Sequence, residues 1–100
     1  MPWSSGRWTV KEGQEAAFIE AWADLARWSA GEFPGAHAWL LRDRATPRSF
    51  LSVGPWPDDA TITAWRAADG FASRIGVIKD LVEGFEAFTL DEVAASDAPT

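Results

Sequence analysis

Apolar positions in the first third of the chain change from an alternating to a helical spacing. Residues 3–10 alternate loosely and include Trp8 and Val10, which favour an extended backbone, so a strand is predicted there. Residues 14–30 carry apolar side chains at intervals of three or four, which predicts an amphipathic helix ending near Gly31. The stripe of that helix consists of Phe18, Ala21, Trp22, Leu25 and Trp28.

The middle third has the pattern of a two-stranded hairpin. A Pro34-Gly35 turn precedes residues 36–42, in which both faces of a predicted strand carry apolar side chains. One face holds His37, Trp39 and Leu41, and the other holds Ala36, Ala38, Leu40 and Arg42. The polar link 44–47 then leads to a third strand over residues 50–55, closed by Gly54-Pro55.

The last third predicts a helix in two pieces followed by a strand. Asp58 suits the N-cap of the first piece, and Asp69-Gly70 is predicted to interrupt the helix. The second piece runs to Gly84, with an apolar stripe of Phe71, Ile75, Ile78 and Val82. Residues 85–93 read as the last strand, and residues 94–100 as a flexible C-terminal tail.

This order of elements is the split βαβ pattern. It predicts one α+β domain over residues 1–93, ferredoxin-like βαββαβ, with an antiparallel sheet and the helices on one face. The strands carry more apolar residues than one covered face can hold: Trp39, Leu41, Phe50, Leu51, Val53, Phe88 and Leu90. A large bare apolar face usually marks an interface, so a homodimer that pairs through the sheet is expected.

The composition argues against several classes of partner and of chemistry. One hundred residues, 47% of them hydrophobic, provide for a single core. Fifteen acidic and nine scattered basic residues give a net charge of -6, which argues against nucleic acid and against a membrane surface as partners. The absence of Cys excludes disulfides and thiolate chemistry. The N-terminal residues lack the pattern of a secretory signal and no apolar stretch could cross a bilayer, so a cytoplasmic protein is expected.

Residues 7–18 with Trp22, taken together with the later segments 34–35, 40–43, 50–56 and 64–66 and with Phe71, resemble the antibiotic biosynthesis monooxygenase (ABM) superfamily. Residues 7–18 with Trp22 resemble its opening, a strand, a Gly turn and a helix that carries Phe and a second aromatic residue. The matching segments that follow, in family order, are Pro34-Gly35, residues 40–43, residues 50–56, residues 64–66 and Phe71. The resemblance spans residues 3–93 and implies a dimeric α+β barrel.

The superfamily contains cofactor-free oxygenases of polyketide-like phenols, haem degraders and members of unassigned activity. Haem-degrading relatives use an Asn on the first strand, a Trp in the broken helix and a His ten residues after that Trp. In this chain Gly6, Trp65 and Ile75 stand at those positions. The resemblance therefore disfavours haem degradation, and no cofactor is expected.

Aromatic residues are the first candidates for a binding site, because seven Trp in one hundred residues is a compositional anomaly. By the resemblance, Trp65 lies beside the small-molecule pocket, where it would orient a planar substrate and offer an indole N–H. An ordinary core Trp is the alternative interpretation. Trp39 and Phe71 are further candidates for substrate contact.

The polar candidates are few. His37 is the only His, the residue type that most often acts as a general base near neutrality, although a structural role at a strand start is the alternative. Arg42 could bind a phenolate or superoxide, or form a surface ion pair. Arg66, next to Trp65, is expected to be a solvated surface charge. The adjacent acids Asp58-Asp59 are explained by helix capping, so no metal site is predicted.

Two functions follow from these observations. The first is a cofactor-independent monooxygenase of the ABM type that oxidises a small aromatic or phenolic substrate with dioxygen. The second is a non-catalytic dimeric protein of the same fold that binds a small aromatic or apolar molecule. Consumption of oxygen would separate them.

Overall fold

A four-stranded antiparallel sheet forms one layer of the computed structural model, which describes residues 1–96, and three helices form the other. The elements are β1 (Pro2–Val10), α1 (Glu15–Glu32), β2 (Trp39–Arg42), β3 (Ser49–Pro55), α2 (Asp59–Ala67), α3 (Asp69–Lys79) and β4 (Val82–Asp91). The strand order is β2-β3-β1-β4, with every neighbouring pair antiparallel. The predicted α+β, ferredoxin-like fold is confirmed. Of the predicted tail, residues 97–100 lie outside the described residues.

The broken helix is present, with its break one residue earlier than predicted. Asp58 caps α2 as expected, its carboxylate accepting the backbone N–H of Thr61 at 2.7 Å. Ala68 has an extended backbone (ψ 141°) between α2 and α3, so the helix is interrupted before Asp69-Gly70 rather than at it. None of the described helices combines the length and the apolar character that a membrane span requires.

Three predicted boundaries were wrong. The last strand ends at Asp91 and not at residue 93, because its pairing with β1 ends where Pro2 lies opposite Asp91. His37 precedes β2, which begins at Trp39, because the Phe33–Ala36 hydrogen bond (3.0 Å) keeps this segment in a turn. The second helical piece ends at Lys79 and Val82 belongs to β4. Periodicity missed this end because the Lys11 N–H binds the carbonyl of Leu81 at 3.0 Å and draws the chain into the sheet.

The inner face of the sheet, which the helices cover, carries the core at one end. Trp8 of β1 pairs with Phe50 of β3 and Phe85 of β4 in one row across the sheet. Phe18 of α1, fully buried, packs on this row with ring centroids 5.5 Å from Trp8 and 5.0 Å from Phe50. Ile75 and Ile78 of α3 complete the cluster with Leu25 and Val10.

The outer face of the sheet, defined by the side chains of Trp3, Trp39, Leu41, Leu51, Val53, Phe88 and Leu90, has no helix over it. Trp39 and Leu41 are each 52% exposed, and Leu90 is 46% exposed. Trp3 and Trp39 stack with centroids 6.5 Å apart. The predicted bare apolar face is therefore a feature of the single chain.

Candidate functional site

Small residues replace large ones at the other end of the inner face. Next to the Trp8 row, Gly6 of β1 pairs with Ser52 of β3 and Ala87 of β4. In the row beyond, Ser4 pairs with Gly54 and Thr89. Because inner-facing positions recur every second residue, these two rows form a continuous floor of short side chains. The helices above this floor do not reach it, and a space remains.

That space is a cavity of about 100 Å³ with a mouth open to solvent. Its large wall residues are six aromatic ones: Trp8, Trp22, Trp56, Trp65, Phe71 and Phe85. The Trp65 ring of α2 lies 4.8 Å from Trp56 and 4.6 Å, edge to face, from Phe71 of α3. An apolar, concave cavity with a few polar groups is the usual form of a small-molecule site. A closed cavity of about 150 Å³ takes up benzene, so this one suits a small aromatic molecule that extends into the mouth.

Three indole N–H groups around the cavity donate to three serine hydroxyls. Trp8 donates to Ser52 at 3.0 Å and Trp56 donates to Ser4 at 2.9 Å. Trp65 donates at 2.9 Å to Ser29, which is 6% exposed on α1. Each bond fixes the orientation of one aromatic wall. The Trp65 N–H is thus already paired within the protein, and what the Trp65 side chain presents to the cavity is its ring.

Gly54 allows the segment that contains His37 to lie at the rim of the cavity. Any side chain at Gly54 would overlap the backbone carbonyl of His37, so only glycine lets the α1–β2 segment cross this end of β3. Ala36, His37 and Ala38 all line the cavity there. His37 itself is exposed, so a base at this position would exchange protons with solvent.

Arg66 also lines the mouth, which differs from the expectation of a charge turned away from the site. The arm of this exposed residue reaches β4, where Nη2 donates to Thr89 Oγ1 at 3.2 Å. Trp65 and Arg66 are adjacent on α2, so their side chains leave the helix in different directions. The Arg66 side chain is long enough to reach the mouth of the cavity all the same. Arg66 places one positive charge at the opening, which His37 also borders.

The structure brings three of the predicted site residues together and leaves two apart. Trp65, Phe71 and His37 line the cavity. Trp39 lies on the outer face, and Arg42 lies at the β2 edge with its guanidinium 4.9 Å from the centre of the Phe50 ring. Ser4, Ser29 and Ser52 were not predicted as site residues from the sequence, although a buried indole N–H needs an acceptor and so points to such partners.

The cavity residues do not suit haem or a metal ion. Ile75 lines the cavity with an aliphatic side chain that offers no ligand atom, and Gly6 offers no side chain at all. Within residues 1–96 no group of three or more His, Asp and Glu side chains could hold a metal ion. The polar atoms lining the cavity are chiefly hydroxyls, with one imidazole and one guanidinium at the rim.

Fold and cavity together define a ferredoxin-like small domain with an aromatic site between sheet and helices. The family model of antibiotic biosynthesis monooxygenase matches residues 5–73, and the chain belongs to that family. No curated protein matches it significantly.

Solved structures share the fold over nearly the whole chain. A mutant of SnoaB, a cofactor-independent oxygenase from Streptomyces nogalater, is 23% identical, with 97% of each chain covered and a TM-score of 0.89. An antibiotic biosynthesis monooxygenase is 19% identical, covering 94% of this chain and 100% of its own, with a TM-score of 0.81. Protein SO0527 from Shewanella oneidensis is 26% identical, covering 89% and 87%, with a TM-score of 0.78.

Proposed function

We propose that this protein is a cofactor-independent monooxygenase that oxidises a small aromatic or phenolic substrate with dioxygen. The observation that carries the proposal is the aromatic cavity, whose indole walls are held in place by Ser4, Ser29 and Ser52. Membership of the ABM family and the fold shared with a cofactor-independent oxygenase support it. A rigid aromatic site binds a planar ring in one orientation and excludes water around it.

The proposed reaction takes its electrons from the substrate. A phenol or hydroquinone loses a proton, and the resulting anion transfers electrons to dioxygen. One oxygen atom enters the ring system, and the other leaves as water with two hydrogens of the substrate, so no external reductant is required. His37 at the rim is the proposed proton acceptor, and Trp65 with Phe71 are the proposed walls that orient the ring.

Oxygen uptake tests this proposal. Dihydroxynaphthalenes and hydroxyanthrones would be incubated with the protein in an oxygen electrode, with heat-denatured protein and Ser73→Ala as controls. Ser73 lies on α3 and does not line the cavity. We expect stoichiometric consumption of oxygen with at least one substrate, at rates above both spontaneous oxidation and the denatured control. Binding without oxygen consumption across the panel would favour the alternative, a non-catalytic small-molecule-binding protein.

The proposed assembly is a homodimer joined through the outer face. Its support is the apolar character of that face, where Trp39, Leu41 and Leu90 are about half exposed in the single chain. Burying such a face against a second copy removes apolar area from water. Light scattering at micromolar concentration should give a mass near twice the 10.9 kDa of the chain. A monomer that persists under those conditions would contradict the assembly.

A further inference from the structure

Ser4 differs from the other two hydroxyls of the cavity in how its proton is used. The Ser29 hydroxyl donates to the carbonyl of Leu25 at 2.7 Å, and the Ser52 hydroxyl lies 3.4 Å from the carbonyl of Gly6. The Ser4 hydroxyl accepts the Trp56 indole N–H but has no acceptor for its own proton within residues 1–96. Ser4 is therefore the cavity hydroxyl with a donor to offer.

Trp56 strengthens that donor. The side chain of Trp56 is 4% exposed, and its backbone N–H binds the carbonyl of Pro2 at 2.9 Å, so the ring is fixed beside β1. A hydroxyl that accepts one hydrogen bond becomes a better donor of the next, because the two bonds polarise each other. The Trp56 to Ser4 bond thus polarises the O–H group of Ser4, a residue that lines the cavity.

The surroundings of Ser4 leave room for a ligand atom. Its register partners on either side are Gly54 and Thr89, and the next inner-facing residue of its own strand is Gly6. The Trp8 indole lies over Gly6 and the His37 carbonyl lies over Gly54, but Ser4 itself lines the cavity beside the aromatic walls. A planar ring between these walls can place a substituent against Ser4.

We propose that Ser4 is the oxygen-binding residue of the cavity: it donates a hydrogen bond to an oxygen substituent of an aromatic ligand, most strongly when that oxygen is a phenolate. The proposal rests on the proposed function only in taking the cavity as the ligand site, and it does not require turnover. Donation to an ionised acceptor is stronger than donation to a neutral one, so Ser4 favours the anion that would react with dioxygen.

The test uses two probes of nearly equal shape, 4-nitrophenol above its pKa and 4-nitrotoluene, titrated against wild type and Ser4→Ala by quenching of Trp fluorescence. Loss of a hydrogen bond to a charged group corresponds to roughly tenfold or more in affinity. We expect Ser4→Ala to weaken 4-nitrophenolate binding by that factor and 4-nitrotoluene binding by less than twofold. The pKa of bound 4-nitrophenol, read from its phenolate absorbance, should be higher in Ser4→Ala than in wild type.

Two further variants serve as controls for this test. Ser4→Thr retains the hydroxyl and should restore most of the phenolate affinity, which a purely structural loss would not. Ser73→Ala should bind both probes as wild type does. Equal weakening of both probes, an unchanged affinity for phenolate, or no binding of either probe to wild type would each overturn the proposal. Phenolate binding that depends on Ser4 without any oxygen uptake would support it while contradicting the proposed oxygenase.

Discussion

The two ends of the inner face are formed by the same three strands, β3, β1 and β4, but one end is packed and the other borders a cavity. At one end Phe18 of α1 packs directly on Trp8 and Phe50 of the row Phe50, Trp8 and Phe85, whose Trp8 and Phe85 also border the cavity. At the other end Ser52, Gly6 and Ala87 occupy the corresponding positions, and the cavity lies above them. The adjacent rows of one sheet differ in side-chain size, and the row of short side chains also carries the Ser52 hydroxyl that accepts from Trp8.

The packed end contributes chiefly to stability, and the cavity end is available for binding. Close packing is found at the Phe18 end, which holds Phe18, Ile78 and Val10, the largest fully buried side chains among the described residues. The cavity end contributes less burial, and its walls are held by hydrogen bonds between indoles and serines instead. The fold can tolerate an open site because its core lies elsewhere on the sheet.

The largest expected effect comes from deleting an aromatic ring at each end. Phe18→Ala should lower the free energy of unfolding by about 3 to 5 kcal/mol, because it leaves a closed void. Phe71→Ala should cost roughly half as much, since Phe71 already borders a cavity that solvent can enter. Urea denaturation of the two variants beside wild type measures both values. Equal losses would mean that the two ends are packed alike.

Much of the packed end could be predicted from the sequence, because it follows from periodicity. Phe18 and Leu25 occur at helical spacing, and both are buried as their stripe requires. The Val82 error arose at a helix end, where the backbone bond between Lys11 and Leu81 overrides a stripe that continues in sequence. Hydrophobic spacing contains no information on such a bond between residues distant in sequence.

The cavity end could be predicted only in part. Trp65 and Phe71 were singled out through the helix stripe and the family resemblance, and they line the cavity. Its floor depends on register, because Gly6 and Ser52 face each other only once β1 and β3 are aligned. The sequence also could not pair Trp56 with Ser4, which are 52 positions apart.

Adding a side-chain atom to the floor of the cavity at Gly6 should reduce the space at the open end of the inner face. A Cβ at Gly6 would lie 2.9 Å from Ser52 Oγ and 2.9 Å from the Trp8 indole nitrogen, so Gly6→Ala forces both to shift. We expect a loss of about 1 to 3 kcal/mol in stability and at least tenfold weaker binding of 4-nitrotoluene. The matched control is Gly76→Ala on α3, where a Cβ meets nothing within 4 Å and helix propensity predicts a gain of about 0.5 to 1 kcal/mol.

Wild-type binding by Gly6→Ala would show that the floor does not limit the site. A loss of stability in Gly76→Ala as large as that in Gly6→Ala would instead attribute the effect to glycine replacement in general.

Replacing Trp65 in the cavity wall by the smaller Phe should reduce ligand affinity more than it reduces stability. Trp65→Phe removes the bond to Ser29, but the Ser29 hydroxyl still donates to Leu25, so the cost should be about 1 kcal/mol. Affinity for 4-nitrotoluene should fall several-fold. Trp28→Phe is the control: Trp28 packs on Gly70 outside the cavity, so stability should fall while binding does not. A large loss of stability in Trp65→Phe with unchanged binding would identify Trp65 as a core residue.

The smallest expected effect concerns the start of α2, the helix that carries Trp65 to the cavity. Hydrogen bonds from the Thr61 hydroxyl and backbone N–H lower the pKa of Asp58. Because this pKa is lower in the folded than in the unfolded state, the stability that ionised Asp58 adds is complete above the unfolded pKa and is lost as pH falls through the folded pKa. Asp58→Ala should therefore lower Tm slightly at neutral pH and by less in acid, and hydrogen exchange should rise in α2 but not in α1. Asp58→Asn keeps an oxygen acceptor for the cap without the charge, so it should retain most of the Tm and remove only the part of its pH dependence that Asp58 contributes. Equal increases in exchange in α1 and α2 would mean that the cavity wall and the packed end open as one unit.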